Sequence, residues 1–103
     1  MVYKYDSNTG RLYIQMPKEV DHHSSLPFRA ETDRLFRLYP VRGIVFDFQN
    51  TLFMDSSGIG MIIGRCKQLQ YAGGNVEAIH LSTQMKRIFR ISGLHNVVRV
   101  VDP

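Results

Sequence analysis

The stretch Gly43-Ile44-Val45-Phe46-Asp47-Phe48-Gln49-Asn50-Thr51-Leu52-Phe53-Met54-Asp55-Ser56-Ser57-Gly58-Ile59-Gly60 decides the fold. Its first six residues form an apolar run closed by polar Gln49-Asn50, the pattern of a central strand covered on both faces. After the loop, Ile59, Ile62, Ile63, Cys66 and Leu69 recur at helical spacing. Gly73-Gly74 stops that helix. A strand that feeds a helix through a short loop is the repeating unit of an α/β layer structure.

Working outward, the same alternation continues. Asn75 to His80 reads as a strand, and Ser82 caps a third helix whose Met85, Ile88 and Phe89 face inward. Gly93 followed by apolar Leu94 fits a left-handed helix stop, and Val97 to Val101 reads as a last strand. Upstream, Val2 to Asp6 and Arg11 to Met16 flank the turn cluster Ser7-Asn8-Thr9-Gly10, which predicts a β-hairpin. Phe28, Leu35, Phe36 and Tyr39 mark a first helix, with Ser25 as its expected cap, Pro27 in its first turn and Pro40 at its end. The order is ββαβαβαβ. Strands separated by helices are expected to be parallel, which gives a mixed sheet with helices packed on it.

With 103 residues, the chain is expected to be a single domain spanning 1–103. Hydrophobic residues make up 44% and charged residues 21%, so a packed core is expected and disorder is not. The single cysteine, Cys66, cannot form an internal disulfide. No apolar run follows a positive start, and none approaches the roughly 20 residues of a membrane helix. A cytoplasmic protein with no membrane partner is the expectation. The net charge is +4, yet the basic residues form no run and are spread along the chain without aromatic alternation, so no nucleic-acid partner is expected. Such a surface favours an acidic protein partner by steering.

The chemistry-bearing segment is Phe53 to Gly60, between the central strand and the second helix. Partners of open α/β sheets are commonly met there. A helix start offers unpaired N–H groups and a positive dipole end. Ser56 or Ser57 can cap it, and Gly58 and Gly60 leave room for another protein to approach. A phosphate on Ser56 would add about −1.5 to −2 charge and three acceptor oxygens. The helix start can accommodate it, so its main consequence would fall on a docked partner, with Asp55 adding like-charge repulsion. Read without that function, Asp55-Ser56-Ser57-Gly58 is a capping turn of a common kind.

From Ile44 through Val100 the chain resembles the STAS family, and within it the bacterial anti-sigma-factor antagonists of sporulation type. The matching pieces are Phe53-Met54-Asp55-Ser56-Ser57-Gly58-Ile59-Gly60, Ile63-Gly64-Arg65 with Lys67-Gln68, Gly73-Gly74, Lys86-Arg87-Ile88-Phe89 and Ile91-Ser92-Gly93-Leu94. Glu19-Val20-Asp21-His22-His23 is similar to the family's acidic segment before its first helix. The resemblance implies that Ser56 is the phosphorylated residue, and that Asp21 faces the partner along with the Asp55–Met61 segment. It further implies an anti-sigma factor that is a serine kinase, a sigma factor reached only indirectly, and a serine phosphatase that resets the switch. ATP would belong to the kinase, so no cofactor is expected in this chain. Two departures are visible. The first-helix segment, with Pro27, looks shortened. The family's C-terminal helix is missing after Val101-Asp102-Pro103, which would leave an apolar flank for a second copy, a homodimer.

Other constellations are weaker. Asp21-His22-His23 are adjacent, and adjacent side chains diverge, so no metal site is expected. Gly58, Gly60 and Gly64 miss the dinucleotide spacing by one residue. Cys66 falls on the inward face and reads as an inert thiol. Met61, roughly opposite Ile63, reads as an exposed contact residue beside Ser56. No acid–base pair or activated nucleophile assembles, so the chain reads as a non-enzyme; His80 is the single candidate base for Ser56. The alternative within the same fold is a STAS subunit of a lipid-transport or other membrane-associated complex.

Overall fold

The computed structural model describes residues 1–101. The chain runs β1 (Tyr3–Asp6), β2 (Arg11–Gln15), β3 (Glu19–Val20), α1 (His22–Leu38), β4 (Gly43–Asp47), β5 (Phe53–Met54), α2 (Ser56–Tyr71), β6 (Asn75–Ile79), α3 (Thr83–Ser92), a 3-10 turn (Leu94–Asn96) and β7 (Arg99–Val101). The expected hairpin, the three helices and the four longer strands that alternate with them are all present. Asp102 and the residue after it lie outside the described residues, and with them the expectation of a missing C-terminal helix.

Five strands form one mixed sheet in the order β1-β2-β4-β6-β7. β1 is antiparallel to β2 and the other three pairs are parallel. The apolar run at 43–47 is the middle strand, as expected, but helices cover only one of its faces, not both. The crossovers all step the same way, from β2 to β4 to β6 to β7. Right-handed connections then place all three helices on one face.

Burial follows that geometry. Leu12, Ile44 and Val76 stand in register, as do Ile14, Phe46 and Ala78, and all six are buried on the helix side. They join Phe28 and Leu35 from α1, Ile62, Cys66 and Leu69 from α2, and Met85 and Phe89 from α3 in one core. A relay of rings ties the layers together. Phe28 meets Phe46 at 6.4 Å, Phe46 meets Phe48 at 6.2 Å, and Phe48 meets Phe89 edge-on at 5.4 Å. The opposite face carries Arg11, Tyr13, Val45, Glu77 and Arg99. There Glu77 pairs with Arg11 at 3.2 Å and approaches Arg99 at 3.9 Å.

Three local expectations change. The first helix is capped by Asp21, not Ser25: the Asp21 side chain accepts from the Ser24 N–H at 3.0 Å, and the Ser24 hydroxyl accepts from the Asp21 N–H at 2.9 Å. Ser25 is buried one residue further on, and its hydroxyl donates to the Asp21 carbonyl. With 17 residues the helix is not short, and it continues through Pro27. The carbonyl that the missing Pro27 N–H would have met belongs to His23; both residues are exposed, so water can serve it. Finally, β3 and β5, two residues each, pair in parallel as a separate small sheet that the sequence reading did not foresee.

Phe46 sits at the centre of the ring relay and is fully buried. Phe46→Ala is expected to lower unfolding free energy by about 3–5 kcal/mol in a urea melt, and Phe46→Leu by clearly less.

Candidate functional site

The small β3–β5 sheet places two helix starts side by side. Glu19 pairs with Phe53 and Val20 with Met54. The Leu52 N–H donates to the Lys18 carbonyl at 2.8 Å, and the Asp55 N–H to the Val20 carbonyl at 3.2 Å. Thr51, almost fully buried, donates its hydroxyl to the Pro17 carbonyl at 2.8 Å. The chain entering α1 and the chain entering α2 are therefore stapled to each other.

Asp55 exploits this arrangement. One carboxylate oxygen accepts the Gly58 N–H of its own helix at 3.0 Å. The other accepts the His22 N–H, the first residue of α1, at 3.1 Å. A single carboxylate thus caps two helices, where each start concentrates positive partial charge. The Gly58 N–H holds the Asp55 carboxyl below its ordinary value; burial opposes this, and the His22 and Ser57 N–H groups add to the lowering. The expectation that Ser56 or Ser57 caps α2 is corrected: Asp55 is the cap.

Relieved of capping, Ser56 is the first residue of α2 and is exposed. Ser57 is half-buried and Gly60 is exposed. Gly58 is not the open position expected. It is buried, and a Cβ there would fall onto the Val20 carbonyl, so glycine is required by the close approach of β3 to the helix. Ile59 is partly buried against the core. Met61, expected to be exposed, is 5% exposed and belongs to the core. The reason is that α2 packs on α1 as well as on the sheet, so its buried arc widens to include Met61 and Arg65. Asp21 is half-buried and engaged in capping α1.

Arg65 was assigned no role from sequence. It is 8% exposed and its guanidinium pairs with Asp33 on α1, with the Thr32 hydroxyl at 3.4 Å. It also lies 5.9 Å from the Phe36 ring centre. Arg65 locks α2 to α1. Beside it the two helices leave a groove of about 480 Å³ that runs from Ser57 past Gly60 and Gly64, with Leu26 and Arg29 on the α1 side.

The remaining chemistry-bearing residues are engaged elsewhere. His80, with a left-handed φ of 59°, sets its Nδ1 3.0 Å from the Asp47 carboxylate. His95 Nδ1 lies 3.2 Å from the Phe89 carbonyl. Cys66 is fully buried, and burial pushes its thiol up to about 11. Among the described residues no three His, Cys, Asp or Glu side chains gather as a metal set, and no helix is long and apolar enough to cross a membrane.

Fold and site together define a small α/β domain with an exposed serine as the first residue of its α2 helix. The chain belongs to the STAS domain family, whose model matches residues 2–102. It is 31% identical over 97 residues to the anti-sigma F factor antagonist of Paenibacillus polymyxa, covering 94% of this chain and 83% of that protein. Among solved structures it is similar to the anti-sigma factor antagonist SpoIIAA in its unphosphorylated form, with TM-score 0.79 and 27% identity, covering 97% of this chain and 88% of that one. It is also similar to the Bacillus cell fate determinant SpoIIAA in the phosphorylated form, with TM-score 0.70 and 28% identity, covering 97% and 91%.

Two measurements check this geometry. Gly58→Ala is expected to cost about 1–3 kcal/mol, because the backbone of β3 must shift; an unchanged urea midpoint would refute the close approach. Because the carboxyl of Asp55 is held low in the folded chain, its charge stabilises above the unfolded value near ~4 and that gain is lost as pH falls through the folded one. The stability gap between wild type and Asp55→Asn is therefore expected to be widest at neutral pH and to close in acid.

Proposed function

We propose that this chain is an anti-sigma factor antagonist whose docking is controlled by phosphorylation of Ser56. The observation that carries the reading is the exposed Ser56 hydroxyl next to a carboxylate already committed to two helix caps. A kinase can reach that hydroxyl without unfolding anything. Relatives named for anti-sigma antagonism, and a similar structure whose name specifies a phosphorylated form, support the same reading.

The electrostatics give the switch its direction. Asp55 already accepts the Gly58 N–H, so a phosphate on Ser56 does not inherit the main capping bond of the helix. It adds roughly two negative charges next to an ionised carboxylate. The fold has little reason to rearrange; a partner seated on the helix start meets a strongly hydrated dianion instead of a hydroxyl. In this reading the partner is an anti-sigma factor with serine kinase activity, which brings the ATP. Docking of the unphosphorylated chain frees the sigma factor, phosphorylation ends docking, and a serine phosphatase restores the hydroxyl. Asp21 and the exposed positions Ser56 and Gly60, with half-buried Ser57, form the contact surface in this scheme. Buried Gly58 and Met61 shape it from beneath.

The test is calorimetric binding to the cognate anti-sigma kinase. Ser56→Ala is expected to bind like wild type but to stay bound when ATP is added. Ser56→Asp, and wild type carrying one phosphate mapped to Ser56, are expected to bind at least about tenfold more weakly, a difference of ~1.4 kcal/mol. Undiminished binding by the phosphorylated protein would overturn the proposal.

A further inference from the structure

The central helix carries two glycines that nothing within the chain explains. Gly60 and Gly64 lie one turn apart inside α2, both exposed, and a Cβ at either would meet nothing within 4 Å. Glycine is the poorest helix former after proline. Contrast Gly58 in the same helix, where the β3 backbone leaves no room for a side chain. What Gly60 and Gly64 provide is a bare strip of helix backbone, open to something outside the fold.

The strip is the floor of the groove between α1 and α2. Its lining includes the guanidinium groups of Arg29 and Arg65, the latter paired with Asp33, and no carboxylate among the described residues. Arg65 is more than nine-tenths buried, and its Nε finds no hydrogen-bond partner among the described residues. Asp33 pairs with Arg65 and also lies within electrostatic reach of Arg29, but it does not line the groove, whereas Arg29 does. Leu26, 68% exposed, adds an apolar edge.

Resting on the phospho-switch reading above, we infer that this groove seats a helix of the protein partner, which brings a carboxylate to Arg29 and an apolar side chain to Leu26. Charge complementarity selects an acidic segment, and the missing side chains at Gly60 and Gly64 let a helix come close, as small residues do wherever helices pack tightly. The placement also connects the groove to the switch. Ser57 lines it, and Ser56 is the next residue, so a phosphate there stands at its mouth. It would offset the Arg29 charge and repel the incoming carboxylate, so one modification opposes docking twice.

The experiment is calorimetric binding of purified full-length variants to the anti-sigma kinase, with a thermal melt of each. Gly64→Leu fills the groove at an exposed helical position; it is expected to keep or raise the melting temperature and to weaken binding at least about tenfold. Arg29→Glu is expected to weaken binding as much, and Arg29→Lys to restore most of it. The wild-type interaction is expected to weaken with added salt. Binding of folded Gly64→Leu at wild-type affinity overturns the groove. Loss with Gly64→Leu but not with Arg29→Glu overturns the acidic partner. Ser56→Asp, run in parallel, reports separately on the switch: its failure to weaken binding sinks the phosphorylation reading whatever the groove variants do.

Discussion

The site depends on one carboxylate shared between two helix starts. Asp55 accepts one N–H from each of them, His22 of α1 and Gly58 of α2. With it, two like dipoles are held side by side by a common counter-charge. The consequence is chemical as well as mechanical. Since Asp55 performs the capping, the serine after it is released from structural duty. The fold thereby gives the capping carboxylate and the exposed serine to two neighbouring residues.

Rigidity around the site comes from three independent directions. The β3–β5 pair fixes the two loops, the Arg65–Asp33 pair fixes the helix bodies, and the ring relay from Phe28 to Phe89 fixes both against the sheet.

Much of the architecture was legible because its signals are periodic. The apolar run at 43–48 and the helical spacing from Ile59 to Leu69 each repeat often enough to outweigh local ambiguity, and the turn residues at 7–10, 73–74 and 93 fall where the chain reverses. What stayed hidden was whatever a single pair of residues decides. Two-residue strands have no period to detect. Asp55, Ser56 and Ser57 are all acceptable caps, and the bonds that hold Asp55 in that role come from Val20 and His22, more than thirty residues away. Met61 was misplaced for a similar reason. Its position on the wheel lies off the sheet-facing stripe, but α1 covers that side too, which no pattern within α2 reveals. Arg65 reads as a surface cation until Asp33 and Phe36 are seen around it.

The staple of Glu19–Val20 against Phe53–Met54 also bears on how the serine is set. Strand pairing has a parity: sliding one partner by a single residue turns every side chain to the opposite side. The two segments must therefore keep one register, since a one-residue slip would turn the buried Val20 side chain away from the helix start. The setting of the serine thus rests in part on a strand that is distant in sequence yet pressed against the first turn of its helix.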